Sequence, residues 1–149
     1  MKLEELIQNR HSCRKFSDKP IPQEQIDKLW ESAIYAPSAG AIRPFEIFPI
    51  TDVEKKKRIG GSQEFIGTAG VVFVFTADFS AMTKKYGERG KRYVYIEAGH
   101  AAQNVLLTAE SMGLGAVPIG AFKDDEVKKV LSLPDYLDPI YLVAIGHKE

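Results

Sequence analysis

The chain has 149 residues, 44% of them hydrophobic and 27% charged, which is enough apolar material for one globular domain with a core. Its 20 lysines and arginines balance 20 acidic residues, so the net charge gives no reason to expect a nucleic acid partner. The single cysteine, Cys13, excludes an intrachain disulfide, and two acids interrupt the N-terminus where a signal peptide would be apolar. We therefore expect one domain, residues 1–149, that is cytoplasmic and has neither a nucleic acid nor a membrane as partner.

The first third of the chain predicts two helices followed by a strand. Apolar residues recur at helical spacing over Leu3–Ile7. Pro22 opens a second amphipathic helix, which Pro37 ends. The run Phe45–Ile50 predicts a strand, and Pro49 within it favours a short strand or an edge position, because proline cannot donate to a sheet ladder.

The rest of the chain predicts alternating helices and buried strands. The basic run Lys55–Arg58 is typical of a solvated helix face. The apolar run Val71–Phe75 predicts a strand covered on both faces at the centre of the sheet. The longest helix runs from about Tyr93 to Met112, and polar residues interrupt it too often for a membrane span. Asp124 and the acid after it are predicted to cap a short helix, and Ile140–Ile145 is a last buried strand, so helices lie on both sides of a sheet.

Several common cofactor and catalytic motifs are missing from the sequence. It has no Gly-x-Gly-x-x-Gly after a strand, no Gly-Lys-Ser/Thr loop and no Gly-x-Ser-x-Gly elbow. Its three histidines are scattered, and the lone cysteine has no partner at metal-ligand spacing. We therefore expect no metal site and no side chain acting as nucleophile, which leaves cofactor binding by a turn and a loop.

Two short segments have the chemistry of a site for a phosphate and a planar ring. Arg10–Phe16 is a helix end that runs into a basic turn, which offers a phosphate monoester guanidinium forks, a serine hydroxyl and backbone N–H groups. Ala36–Phe45 has Pro, Ser and Gly close together, so its backbone can approach a ring. Together they predict a flavin site. The alternatives are that the arginines only pair with surface acids and that the second segment is only a helix stop and a turn.

Four motifs in register resemble the nitroreductase family of FMN-dependent oxidoreductases along nearly the whole chain. They are Arg10–Phe16, Ala36–Ser38, Gly113–Gly120 and Ala144–Gly146. The stretch Tyr95–Asn104 is similar to the family's long central helix and closest to its branch of SagB-type dehydrogenases. The resemblance implies an α+β fold of three α/β/α layers, in which helices flank a mixed, mainly antiparallel sheet. It also implies a homodimer with FMN sites at the subunit interface.

The resemblance assigns a group of basic and polar residues to the phosphate end of FMN. Arg10 and Ser12 would hold the phosphate, with His11 beside them. Arg14 would lie near the pyrimidine edge of the ring, where a cation stabilises the anionic reduced flavin. Lys148 follows the last strand, where relatives place basic residues toward the phosphate.

The remaining residues that the resemblance assigns to FMN face the ring and the ribityl chain. They are Pro37, Ser38, Ala39, Gly40, Arg43, Gln63, Pro118, Ile119, Gly120 and Ala121. The Pro37–Gly40 segment would come from the other subunit. Arg43 replaces a frequent glutamine of the family, and Gly120 stands where some relatives have an acid, so this site is expected to be more open and less charged. For Gln63, an ordinary loop glutamine is an equally good interpretation.

The function that the resemblance implies is a ping-pong reaction in which NAD(P)H reduces the flavin at N5 and a small organic acceptor then takes the hydride. No side chain is needed as acid or base, so no catalytic residue is assigned. The alternatives are a flavin dehydrogenase acting on a ring or peptide-derived substrate, a non-enzymatic FMN-binding domain and a cofactor-free interaction domain. Many relatives are longer, and only Asp78–Arg92 can serve here as an excursion over the flavin, so the lid is expected to be small.

Overall fold

One four-stranded sheet organises the computed structural model, which describes residues 1–149. The strands are β1 (Phe45–Ile50), β2 (Val71–Ala77), β3 (Leu114–Ile119) and β4 (Asp138–His147). Their spatial order is β1-β2-β4-β3, and every neighbouring pair is antiparallel. The N-terminal segment adds a single parallel bridge between Ser12 and Ala116. The predicted mainly antiparallel sheet is thus confirmed, and its only parallel pairing is this isolated bridge outside the four strands.

Helices cover both faces of this sheet. They are α1 (Leu3–Asn9), α2 (Gln23–Ile34), α3 (Val53–Gly60), α4 (Glu64–Thr68), α5 (Phe79–Tyr86), α6 (Arg89–Ser111) and α7 (Asp124–Leu131). One core joins α2 and α6 to the face of β2 that carries Phe73 and Phe75. A second core joins α3, α4 and α7 to the opposite face, which carries Val72 and Val74. The three α/β/α layers follow from this alternation, since successive strand residues point to opposite faces.

Two strands occupy the positions that the sequence predicted. All seven residues of β2 are buried, and the strand lies between β1 and β4. β1 is an edge strand, and its Pro49 is opposite Phe73. Burial on both faces explains the continuous apolar run of β2, and the edge position explains why β1 tolerates proline.

The longest helix, α6, begins at Arg89, four residues before the predicted start. Its buried stripe includes Val94, Ala98, Ala101 and Val105, as the periodicity indicated. The difference arises because the first turn is polar and carries no apolar periodicity. No helix of this structure combines the length and the apolar character that a membrane crossing requires.

Two predictions about charged residues are wrong in detail. Lys56, within the supposed solvated run, is only 5% exposed, and its ammonium donates to the carbonyl of Ala69, the residue that follows α4. Burial lowers the pKa of Lys56 below its ordinary value, while the nearby Asp52 opposes the shift. Helix α7 has Lys123 as its N-cap without a capping side chain, so Asp124 lies inside the first turn, where it faces the positive end of the helix dipole.

Candidate flavin site

The basic turn, residues Arg10–Arg14, lies along strand β3. Its Ser12 bridges to Ala116, and the N–H of Cys13 donates to the Ala116 carbonyl at 3.0 Å. A Cβ added to Gly115 would lie 2.6 Å from the Cys13 sulfur, so only glycine lets the turn approach this closely. The basic turn is therefore anchored to β3, at one edge of the sheet.

The charged groups of the basic turn have no acidic partner. None of the six salt bridges in the structure includes Arg10 or Arg14, so the alternative in which they pair with surface acids is wrong. His11 Nδ1 lies 3.0 Å from the Asn9 carbonyl, and the Ser12 side chain is exposed. Two guanidinium forks and a hydroxyl at one turn fit the donor needs of a phosphate group.

Lys148 is close to the basic turn, but its ammonium is already paired. Its Nζ lies 3.1 and 3.3 Å from the two carboxylate oxygens of Glu110, a side chain only 12% exposed. Its Cγ would lie 3.1 Å from a Cβ added to Gly115, the same glycine that Cys13 covers. Lys148 therefore borders the basic turn, with Glu110 balancing its charge.

A second group of predicted residues lies where β3 ends. The Gln63 side chain, at the start of α4, donates to the Ala121 carbonyl at 2.6 Å, so it is not an unattached loop glutamine. The backbone N–H groups of Gly120 and Ala121 donate to no protein acceptor, and nothing lies within 4 Å of a Cβ added to Gly120. Pro118 and Ile119 precede them in β3. Gln63, Gly120 and Ala121 thus lie together, with two N–H donors free for a ligand.

A cavity of about 460 Å³ adjoins this second group. Its lining residues include Arg58, Gly61, Gln63, Ala121 and Phe122. The wall therefore combines an aromatic ring and backbone polar groups with Arg58, whose guanidinium is paired with Glu126 at 2.8 Å.

The third group, the Pro37–Arg43 loop, lies between α2 and β1 and packs against α6. Ser38 donates its hydroxyl to Glu97 at 2.8 Å, and the Ala39 N–H donates to the other Glu97 oxygen at 2.6 Å. The Ser38 oxygen in turn accepts the N–H of Arg43 at 2.9 Å. A Cβ added to Gly40 would lie 2.7 Å from Lys85 Nζ, so α5 closes the other side of the loop.

The Pro37–Arg43 loop and the basic turn are held by different elements of the chain. No hydrogen bond joins the Pro37–Arg43 loop to the basic turn, since the loop is held by α6 and the turn by β3. The loop does border its own cavity of about 360 Å³. That cavity is lined by Pro37, Ser38, Ala39, Tyr93, Ile96, Glu97 and His100.

Sequence reasoning missed Glu97 as a site residue. The sequence did contain a signal, because Glu97 lies three residues after Val94 and four before Ala101, on the apolar face of α6. A carboxylate at such a position needs hydrogen-bond donors, and its 5% exposure makes the two donors of the loop necessary.

Comparisons with known proteins identify the class to which this fold and site belong. A sequence model described as the nitroreductase family matches residues 7–64 and 60–147. The chain therefore belongs to the nitroreductase family.

Three similar proteins illustrate the relationship. The FMN reductase (NADPH) of Bacillus subtilis is 34% identical over 160 residues, which cover 96% of this chain and 64% of that protein. A protein of Methanocaldococcus jannaschii, named as a nitroreductase, is 32% identical over 184 residues, covering 99% of this chain and 92% of that protein. The solved structure of B. megaterium NfrA2 has a TM-score of 0.88 at 30% identity and covers 98% of this chain and 66% of that one.

This chain is shorter than its relatives within the region they share. It spans less than two thirds of the B. subtilis protein. Because it has only 149 residues, at least 35 of the 184 aligned positions in the M. jannaschii comparison hold no residue of this chain.

Proposed function

We propose that this protein is an FMN-dependent oxidoreductase that moves hydride from NAD(P)H to a small organic acceptor. Membership of the nitroreductase family supports this function, as do relatives named FMN reductase (NADPH) and NADPH-dependent oxidoreductase. The observation that carries it is the basic turn, which is held against β3 while the side chains of Arg10, Ser12 and Arg14 have no protein partner.

The basic turn is the proposed phosphate end of the site. Arg10 offers a two-pronged donor to phosphate oxygens, Ser12 adds a hydroxyl, and His11 lies beside them. Arg14 supplies a positive charge toward the ring. Because Glu110 neutralises Lys148, the two arginines carry most of the charge that meets the phosphate dianion.

The end of β3 is the proposed ring side of the site. Pro118 and Ile119 lead into it at the end of β3, Gln63 is proposed to face the pyrimidine edge, and Gly120 and Ala121 offer their free N–H groups. When bound, FMN supplies the two-electron chemistry by accepting hydride from NAD(P)H and giving it to the acceptor in a ping-pong sequence. The protein binds and orients the ring, and glycine at 120 leaves room above it for NAD(P)H and then the acceptor.

We further propose that the chain works as a homodimer with an FMN site at each end of the interface. Helix α2, which leads into the Pro37–Arg43 loop, and helix α6, which holds it, expose large apolar side chains on their faces or beside their ends. Their exposed fractions are 40% for Trp30, 76% for Tyr35, 61% for Tyr95 and 49% for Ile96. Burial of this surface by a second copy would remove apolar area from water and carry Pro37, Ser38, Ala39, Gly40 and Arg43 to the partner's basic turn.

We also propose where the protein is located and how its chain is organised. We assign the protein to the cytoplasm, where a lone unpaired cysteine such as Cys13 stays reduced. We take residues 1–149 to form one FMN-binding domain, since both cores are built on the same sheet.

Steady-state kinetics of the FMN-loaded protein test the reaction. NADPH and a quinone or nitroaromatic acceptor are varied together, and a ping-pong reaction gives parallel lines in a double-reciprocal plot. If the bound flavin is not reduced by NADPH or NADH, the protein takes electrons from another donor or only binds FMN, and the proposed activity is wrong.

A further inference from the structure

We propose that Glu97 is a positioning residue for the flavin, because its buried carboxylate holds the Pro37–Arg43 loop in a strained shape that binds the cofactor. The inference rests on the proposed function, since only that function assigns this loop to FMN. Glu97 itself makes no contact with the ring in this proposal.

The strain lies in the backbone of the loop. Three of the four residues from 40 to 43 have positive φ angles, namely Gly40 at 61°, Ala41 at 54° and Arg43 at 47°. Side chains with a Cβ rarely adopt this region, because the Cβ crowds the backbone carbonyl. Such conformations cost free energy and persist only where the surrounding structure holds them, and they concentrate at functional sites.

Glu97 holds the start of this strained segment through both of its oxygens. One accepts the Ser38 hydroxyl at 2.8 Å and the other accepts the Ala39 N–H at 2.6 Å. The side chain is 5% exposed, so water does not compete well for these bonds. Ser38 passes the restraint to the far end of the loop, since its oxygen accepts the N–H of Arg43 at 2.9 Å.

This network gives Ser38 a role in shaping the loop. A serine hydroxyl has one proton, and Ser38 gives it to Glu97. Ser38 therefore acts on the cofactor by shaping the loop and not by donating to the ring. Arg43 is the free charged donor of the loop, because only its Nε is occupied, by the Ile34 carbonyl at 3.1 Å, and its side chain is exposed.

The test measures, in the full-length protein, the affinity for FMN and the protection of the loop amides against hydrogen exchange. The variants are Glu97→Gln, which cannot accept both hydrogen bonds, and Ser38→Ala, which breaks the relay to Arg43. Ser38→Thr keeps the hydroxyl, and Glu88→Gln removes an exposed carboxylate beside the same helix that pairs only with Lys91. FMN binding is measured by quenching of flavin fluorescence, and amide exchange of Ala39 is measured in the FMN-free protein.

We expect Glu97→Gln and Ser38→Ala each to weaken FMN binding about tenfold, as loss of a charge-assisted hydrogen bond would. The double variant should lose little more than either single one, because both changes break the same network. Exchange at Ala39 should rise while amides of β2 stay protected. Ser38→Thr, which keeps the hydroxyl, should lose less affinity than Ser38→Ala, and Glu88→Gln should match the original protein.

Two results would overturn the role of Glu97. One is a Glu97→Gln protein that binds FMN as tightly as the original, whether or not Ala39 exchange changes. The other is additive losses in the double variant, which would indicate two independent structural effects. If the original protein itself binds no FMN, the proposed function fails first, so the two failures are distinguishable.

Discussion

Glycine at two positions determines how closely the N-terminal segment lies on the sheet. Gly115 accommodates Cys13, and Gly146 accommodates the ring of Phe16, whose nearest atom would lie 2.8 Å from an added Cβ. The resemblance to the nitroreductase family included both glycines among its motifs. Their physical reason required the structure, since the sequence does not show which residue packs over which glycine.

Gly146→Ala is therefore predicted to destabilise the fold by about 1–3 kcal/mol, because the added methyl collides with the buried Phe16 ring. The control is Gly99→Ala on α6, where an added Cβ meets nothing within 4 Å. That change should stabilise by about 0.5–1 kcal/mol through better helix propensity. Urea unfolding measures both, and a stabilising Gly146→Ala would show that Phe16 does not pack as described.

Arg10→Ala and Arg14→Ala are predicted to weaken FMN binding without affecting the fold. Each removes charge-assisted hydrogen bonds, worth about 1.5–3 kcal/mol, or roughly 10- to 100-fold in affinity. The free energy of unfolding should change by less than about 0.5 kcal/mol, because neither guanidinium has a protein partner. Lys129→Ala removes an exposed cation of α7 and should leave FMN binding unchanged. If all three changes weaken FMN binding equally, the arginines act only through the net charge of the protein and the basic turn is not a phosphate site.

Lys56 predicts a pH dependence of stability. Its folded pKa is lowered by burial, so between that pKa and the ordinary value of 10.5 the unfolded chain binds more protons and stability rises with pH. Lys56→Met removes the titrating group. The unfolding free energy of the original protein minus that of Lys56→Met should therefore increase as pH rises from 7 toward 10.5. Urea unfolding at pH 7 and near pH 10.5 checks this, and a difference between the two proteins that stays constant with pH would contradict it.

The elements themselves could largely be predicted from apolar periodicity. β2 and the buried stripe of α6 are visible because burial on two faces or on one stripe leaves a direct pattern. The sequence assigns Glu97 no role and places Lys56 on a solvated face, because a charged residue carries no information about its partner. Those partners, Ser38 and Ala69, are separated from them in sequence and become visible only when the layers pack.

Helix α5 is more firmly held than a mobile lid would be. Met82 is fully buried against Ala77 and Val94, and an added Cβ at Gly90 would lie 2.8 Å from the Met82 carbonyl oxygen. The excursion between β2 and α6 is thus short and anchored by a small core of its own.

Met82→Ala is predicted to cost about 2–5 kcal/mol, because it leaves a cavity beneath α5. Lys84→Ala on the exposed side of the same helix should stay within about 0.5 kcal/mol of the original protein. Hydrogen exchange of the α5 amides should accelerate in Met82→Ala alone. Unchanged exchange there would indicate that α5 is held by something other than this core.

At the scale of the whole molecule, the strand order β1-β2-β4-β3 could not be obtained from periodicity, which says nothing about neighbours. The resemblance implied the layered, mainly antiparallel architecture, and the structure supplied the order. The attachment of the basic turn to β3 and of the Pro37–Arg43 loop to α6, with no hydrogen bond between the two, also belongs to this scale. It is the reason we propose that two copies of the chain complete each site.

Replacing Tyr95 and Ile96 together by serine is predicted to convert a dimer into a monomer and to weaken FMN binding, since each site would lose the partner's loop. Sedimentation velocity measures the first effect and flavin fluorescence the second. Tyr136→Ser removes a side chain that is equally exposed, at 63%, but distant in sequence from this surface, and should leave the dimer intact. A monomeric original protein that binds FMN tightly would contradict the shared site.

The most direct test of the account is the visible spectrum of the purified protein, followed by chromatography of any released cofactor and addition of NADPH without oxygen. We predict a yellow protein that releases FMN and loses its colour when NADPH is added. A colourless protein that takes up no added FMN would contradict the central claim that the basic turn and the end of β3 form a flavin site.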